Sequence, residues 1–135
     1  MARSLKRLPQ ARELVRQGLT HNPVSVDLHL LMGDLWLEQG AGVLDSGEVP
    51  EEAIEAEKYY RWIIDRNKTN ELISSERVQL YYNLGLLGFF KGKAYPSDQG
   101  AQAITVLKES EAFYAKAVAI FDEINIINGP LQQDL

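Results

Sequence analysis

The chain has 135 residues, no cysteine and a net charge of −5, and 45% of its residues are hydrophobic against 24% charged. This length and balance are typical of one globular domain, which we place at 1–129 with a tail at 130–135. The lack of cysteine excludes disulfides, thiolate metal sites and cysteine nucleophiles. The acidic total argues against a nucleic-acid-binding protein. Since no apolar run approaches the ~20 residues of a membrane-spanning helix, we predict no membrane span.

Charge is distributed unevenly along the chain. Residues 1–26 hold five basic residues and one acidic residue, whereas residues 27–57 hold nine acidic residues and no basic one. An arginine-rich start is typical of a mitochondrial presequence. It is also typical of a first helix whose basic side chains face an acidic segment. We favour the second interpretation and a cytoplasmic protein, with a mitochondrion or another organelle as the alternative.

Helical periodicity runs along the chain, and we predict five helices and no strand. The first helix starts after Pro9, or frays back to Ser4, and ends near Gly18. Its apolar face is formed by Ala11, Leu14, Val15 and Leu19. A turn at 21–23 follows, because proline disfavours the helical conformation in the residue before it.

The second helix is predicted from a capping residue at Ser25 or Asp27 to about Gln39, with Gly40 as its C-terminal stop. Its apolar face is formed by Leu28, Leu31, Met32, Leu35 and Trp36. The stretch 40–49 is rich in glycine and polar residues, which predicts a long loop.

Pro50 suits the first turn of a third helix, in which Glu51 and Glu52 interact favourably with the helix dipole. We expect this helix to end at Asp65 or Arg66. Its predicted buried residues are Ile54, Tyr60, Ile63 and Ile64.

A fourth helix is predicted from a serine cap at 74 or 75 to about residue 91. The stretch KGKAYPSDQG at 91–100 predicts a second long loop. The last helix is predicted over about 101–126, and Gly129-Pro130 should end the helical pattern.

The fourth helix has two different faces. One face combines Tyr81 and Leu84 with three small residues, Gly85, Gly88 and Gly92. Because a glycine inside a helix costs about 1 kcal/mol relative to alanine, we predict that these glycines let a neighbouring helix approach closely. The opposite face carries Tyr82, Asn83, Leu86, Phe89 and Phe90. A helix that is apolar nearly all round must be covered on both sides.

The sequence contains an internal repeat. A shift of 52 residues superimposes LLMGDLWLEQG at 30–40 on YNLGLLGFFKG at 82–92, with glycine on glycine at two positions. A shift of 54 residues superimposes AEKYYRWII at 56–64 on SEAFYAKAV at 110–118. Each unit is therefore a helix, a connection and a second helix, which is typical of stacked αα-hairpins.

These segments resemble the tetratricopeptide repeat (TPR) family. In the later unit the resemblance is carried by Tyr81, Leu84, Gly85, Gly92, Ser110, Tyr114 and Ala117. In the earlier unit it is carried by Met32, Gly33, Trp36, Gly40, Ala56 and Tyr60, with His29 at the usual place of an aromatic residue and Ile63 larger than the family's small residue. A preceding segment resembles a second helix with its terminal proline through Ala11, Val15, Gly18 and Pro23.

The resemblance implies an all-α fold of stacked antiparallel helical hairpins, a TPR-like superhelix. It would consist of a half repeat at 9–24 and repeats at 25–68 and 74–127. The shift between repeats is longer than the ~34 residues of a standard TPR, since the two predicted loops lengthen the hairpins.

TPR domains commonly bind peptides in a groove that is lined by the first helix of each repeat. The residues that would line it here are Tyr82, Asn83, Leu86, Phe89, Phe90, Leu30, Asp34, Leu37 and Glu38. Asn83 matches the family's asparagine that often hydrogen-bonds the backbone of a peptide. Acidic and aromatic side chains suit a basic or apolar partner segment.

Two functions remain open at this point. The first is a protein-interaction or scaffold module that binds a peptide or partner segment in the groove. The second is a structural or assembly subunit of a larger complex or homo-oligomer, in which the apolar face at 82–90 is permanently buried. We expect no enzyme activity, metal or cofactor, because His21 and His29 lack partners at metal-ligand spacing and no catalytic motif is present.

Overall fold

The computed structural model describes residues 7–133, and the side chains of residues 7–126. The described residues form five α-helices and no strand, which confirms the all-α prediction. The helices are α1 (Leu8–His21), α2 (Val26–Asp45), α3 (Glu51–Asp65), α4 (Ser74–Ala94) and α5 (Gly100–Gln133), with short 3-10 helices at Thr69–Glu71 and Ser97–Gln99. The chain forms two compact units, Met1–Glu71 and Leu72–Leu135.

One part of the core of the first unit lies between α1 and α2. Leu8 and Val15 of α1 cluster with Met32 and Leu35 of α2. The helix begins at Leu8, whose side chain is fully buried, and Pro9 is tolerated in the first turn, where a backbone N–H would have no helical acceptor. The alternative start at Ser4 lies outside the described residues.

Two details predicted for α1 are wrong. The helix continues past Gly18 to His21, and Asn22 closes it with a backbone hydrogen bond to the Gly18 carbonyl. Leu14 is 68% exposed, so the buried face is narrower than its apolar residues suggest.

The predicted end of α2 is also wrong. The helix continues through Gly40 to Asp45 and buries Leu44. A Cβ at Gly40 would lie 3.0 Å from Glu52 Cβ and 3.2 Å from Pro50 Cγ. This glycine therefore admits the start of α3 rather than ending α2, and the long loop contracts to a few residues. Leu31, predicted for the apolar face, is exposed.

In α3 the buried face follows spacing rather than side-chain size. Tyr60 and Ile63 are fully buried as predicted, together with the small residues Ala53 and Ala56. Ile54 is 47% exposed, which contradicts the prediction, because it lies beside the 3–4 series formed by the other four. Pro50 precedes the helix in an extended conformation instead of occupying its first turn.

The second unit consists of α4, a 3-10 helix and α5. At the start of α4, the Ile73 backbone N–H donates a hydrogen bond to Glu76 Oε1 at 3.1 Å, so a glutamate caps the helix rather than the predicted serine. The predicted loop at 91–100 is shorter, because α4 extends to Ala94 and α5 starts at Gly100.

The prediction that Gly129-Pro130 ends the last helix is wrong. The backbone of α5 stays helical to Gln133. Both residues raise the free energy of a helix, yet the fixed φ of proline, about −65°, is itself helical. The predicted tail at 130–135 thus begins as helix, and its side chains lie outside the described residues.

Each unit contains an antiparallel hairpin with glycines at its seam. As residue numbers rise along the first helix of each hairpin, those of its contacts fall along the second. The contacts are Gly33–Tyr60 and Gly40–Glu52 in the first unit, and Gly85–Tyr114, Gly88–Ser110 and Gly92–Leu107 in the second. This confirms that the glycines of α4 allow a neighbouring helix to approach closely.

Candidate partner-binding site

The second unit positions the candidate site through the close packing of α4 on α5. A Cβ at Gly85 would lie 2.8 to 2.9 Å from three ring atoms of Tyr114. Next to it, the buried Ser110 hydroxyl donates a hydrogen bond to the Gly85 carbonyl at 2.5 Å. These contacts fix the rotation of α4 about its axis and therefore which side chains face outward.

The outward side chains of α4 form what we call the aromatic face: Tyr82, Asn83, Leu86, Phe89 and Phe90. Tyr82 is 51% exposed and Phe89 is 40% exposed. The other three residues are half-buried. Within the second unit the aromatic face therefore presents large apolar surface to solvent.

The rings of the aromatic face are held by neighbouring side chains. Phe89 and Phe90 meet nearly perpendicular, with centroids 5.6 Å apart, and Tyr82 lies 5.6 Å from Tyr114. Lys93 Nζ lies 5.1 Å from the Phe89 centroid, within the range of a cation–π interaction. Burial raises the pKa of the Tyr114 phenol, so that group stays neutral at physiological pH. The patch is thus an ordered aromatic surface with the Lys93 ammonium beside it.

The corresponding residues of α2 lie in the first unit and differ in character. Leu30 is 5% exposed and belongs to the core of that unit rather than to an open face. Asp34 Oδ1 accepts a hydrogen bond from the Tyr60 hydroxyl at 2.6 Å. Leu37 and Glu38 are half-buried. Of the four groove residues predicted on α2, Leu30 is therefore buried, whereas Asp34, Leu37 and Glu38 stay partly accessible.

His29 has a structural environment. Its ring stacks on Trp62 at a centroid distance of 3.5 Å with an interplanar angle of 7°, and Nδ1 lies 2.7 Å from the Ser25 carbonyl oxygen. Burial lowers the pKa of the imidazole. The sequence marks His29 as the counterpart of a family aromatic, but it does not reveal Trp62 as the stacking partner.

A shallow cleft lies between α1, α2 and the start of α3, and the sequence does not predict it. The Arg12 guanidinium lies 3.8 Å from the Trp36 ring centroid and donates a hydrogen bond to Gln39 Oε1. Glu51, Glu52 and Glu55 line the same cleft. One basic residue of the first helix, Arg12, thus faces part of the acidic segment, whereas Arg16 pairs with Glu13 of its own helix.

Among the described side chains, no three histidine, aspartate or glutamate residues come together where a metal ion could bind. Over the same part of the chain, no helix combines the length and apolar character that crossing a membrane requires. No protein-family model, curated protein or solved structure matches this chain. The resemblance to TPR proteins therefore stays a hypothesis drawn from the residues quoted above.

Proposed function

We propose that this protein is an interaction module, and that the aromatic face of α4 binds an apolar segment of a partner protein. The observation that supports this is the exposure of Tyr82 and Phe89 on a helix whose other side is tightly packed. Tyrosine is among the residues enriched at binding hot spots, and phenylalanine is enriched in the cores of protein interfaces.

The exposed area is large enough to anchor a partner. A large aromatic side chain buries about 150–250 Å² when covered, so exposures of 51% and 40% correspond to roughly 80–100 Å² at each residue. At about 25 cal/mol per Å², covering each ring contributes about 2 kcal/mol. Removing one ring should therefore weaken binding by about 30-fold, since 1.4 kcal/mol corresponds to a factor of ten.

The charge distribution supports a partner whose apolar segment is flanked by basic residues. The segment 27–57 carries nine acidic residues and no basic one. Such a field attracts a positively charged partner and accelerates its association. Asp34 and Glu38 belong to this segment, and Asp34 accepts a hydrogen bond from the Tyr60 hydroxyl. In this proposal they attract the partner, while the aromatic face binds it.

The experiment compares proteins captured by the immobilised wild type and by two aromatic-face variants. The first variant combines Phe89→Ala with Phe90→Ala, and the second combines Tyr82→Ala with Phe89→Ala. The matched control, Leu14→Ala with Phe121→Ala, removes two residues that are 68% and 52% exposed elsewhere on the chain. Mass spectrometry identifies the captured proteins, and titration of a peptide from the captured protein gives the dissociation constant.

We expect both aromatic-face variants to lose the same partner that the control variant retains, with helical circular dichroism unchanged in all three. We also expect higher salt to slow association of the wild type. Retention of the partner by the Tyr82 and Phe89 variant would overturn the proposal. If both variants unfold, the face is core and the proposal fails as well.

A further inference from the structure

The last helix, α5, carries a second unpartnered surface, which we call the α5 stripe. Its members follow one another at helical spacing on the side opposite the buried residues Ser110, Phe113 and Ala117. They are Ile104, Lys108, Ala112, Ala115, Ala119, Asp122 and Ile126, all of them exposed. Ile104 is 55% exposed and Ile126 is 71% exposed. The stripe spans about 33 Å at 1.5 Å per residue.

Four residues of the α5 stripe form two pairs placed symmetrically about Ala115. Seven residues before Ala115 lies Lys108, and seven residues after it lies Asp122. Eleven residues before it lies Ile104, and eleven after it lies Ile126. Opposite charges and matching isoleucines are therefore placed symmetrically about one alanine.

We propose that two copies of this protein associate through the α5 stripe as an antiparallel pair, with the two-fold axis at Ala115. In this arrangement Lys108 of each copy lies opposite the other copy's Asp122, and the isoleucines meet at both ends. In an isologous interface of this kind, each contact between two different residues occurs twice. Because Ala112, Ala115 and Ala119 are small, the helix axes can approach to about 8 Å, the lower end of the usual range.

The charges also select the antiparallel orientation. A parallel pair in the same register would place Lys108 against Lys108 and Asp122 against Asp122, which is repulsive. The antiparallel pair converts both contacts into ion pairs. Within the described part of the chain, neither side chain forms an ion pair with another residue. Both charges are therefore available to a second copy.

The test is a charge-reversal series measured by sedimentation equilibrium on the full chain. Lys108→Glu alone and Asp122→Lys alone each place two like-charge contacts in the dimer, so each should raise the dimer dissociation constant about tenfold or more. An equimolar mixture of these two variants should recover wild-type affinity as a heterodimer, because both cross-contacts are again oppositely charged. Ala115→Arg should leave only monomer, and the control Asp98→Lys, outside α5, should behave as wild type.

The outcomes separate this inference from the proposed function. A wild type that shows no dimer even at about 1 mM, where a dissociation constant in the millimolar range would be detected, would overturn it. So would a mixture of the two charge variants that stays monomeric while the wild type dimerises, since the register would then be wrong. Loss of the dimer in the Phe89 and Phe90 double variant, with Ala115→Arg still dimeric, would show that the second copy covers the aromatic face instead.

Discussion

Gly33 and Gly42 lie on the same helix, α2, yet substitution by alanine should change stability in opposite directions at the two sites. A Cβ at Gly33 would lie 2.5 Å from Tyr60 Cε1 and 2.8 Å from its Cδ1, whereas Gly42 has nothing within 4 Å. Tyr60 is fully buried, and its hydroxyl donates a hydrogen bond to Asp34. The ring is thus held at both ends and cannot move aside cheaply.

The two substitutions share one energy contribution and differ in another. Alanine exceeds glycine in helix propensity by about 1 kcal/mol at either site. Only Gly33→Ala adds the cost of overpacking, about 1–3 kcal/mol. We expect Gly42→Ala to raise the free energy of unfolding by about 0.5–1 kcal/mol and Gly33→Ala to lower it by as much as ~2 kcal/mol. The difference between the variants isolates the steric contribution, because the propensity cancels.

Urea unfolding followed by tryptophan fluorescence measures this directly. Both tryptophans, Trp36 and Trp62, lie in the first unit, so the signal reports on the unit that contains both glycines. In a Tyr60→Leu background the penalty of Gly33→Ala should disappear, which a double-mutant cycle records as coupling. Equal stability of the Gly33→Ala and Gly42→Ala variants in the wild-type background would contradict the predicted clash with Tyr60.

Two further predictions concern buried polar contacts. Ser110→Ala removes the hydrogen bond to the Gly85 carbonyl and should reduce the stability of the second unit by about 1 kcal/mol, measured by hydrogen exchange of α4 amides; unchanged exchange would contradict this. Because burial lowers the pKa of His29, the unfolded chain binds more protons below about pH 6.5. The free energy of unfolding of the first unit should therefore fall as pH drops through ~6.5. In the His29→Phe variant, which preserves an aromatic ring beside Trp62, it should depend less on pH. An equal pH slope in both proteins would assign the pH dependence to other groups.

The sequence predicts the helices and the role of their glycines because both depend on local spacing. Gly33 and Gly85 superimpose in the internal repeat, and so do Tyr60 and Tyr114. Each glycine contacts the tyrosine of its own unit. The sequence predicts this packing because a glycine on the first helix of each unit is paired with a tyrosine on the second helix. Both residues recur in the second unit at nearly the same spacing.

Helix ends and exposed positions could not be predicted in the same way, because they depend on contacts between elements. Glycine often ends a helix, so Gly40 favours an end of α2 at that position. The helix instead continues to Asp45, because Leu44 is buried one turn after Gly40. Ile54 looks like a core residue, whereas Ala53 beside it is the one that packs. At Gly40 tertiary packing outweighs a local preference of about 1 kcal/mol, and at Ile54 the position on the helix outweighs the size of the side chain.

The two hairpins carry different residues directly after the glycine that they share, Gly33 or Gly85. This difference accounts for the candidate site in the second unit. In the first unit that position is Asp34, whose carboxylate accepts the hydroxyl of the tyrosine packed against Gly33. In the second unit it is Leu86, which cannot accept a hydrogen bond, and Tyr114 packs against the ring of Tyr82 instead. In the first hairpin a carboxylate therefore accepts the hydrogen bond of the packed tyrosine. In the second hairpin the packed tyrosine contacts another aromatic ring, Tyr82, which is half exposed. Replacement of Leu86 by aspartate would test this relation, since it should provide Tyr114 with an acceptor and weaken binding at the aromatic face.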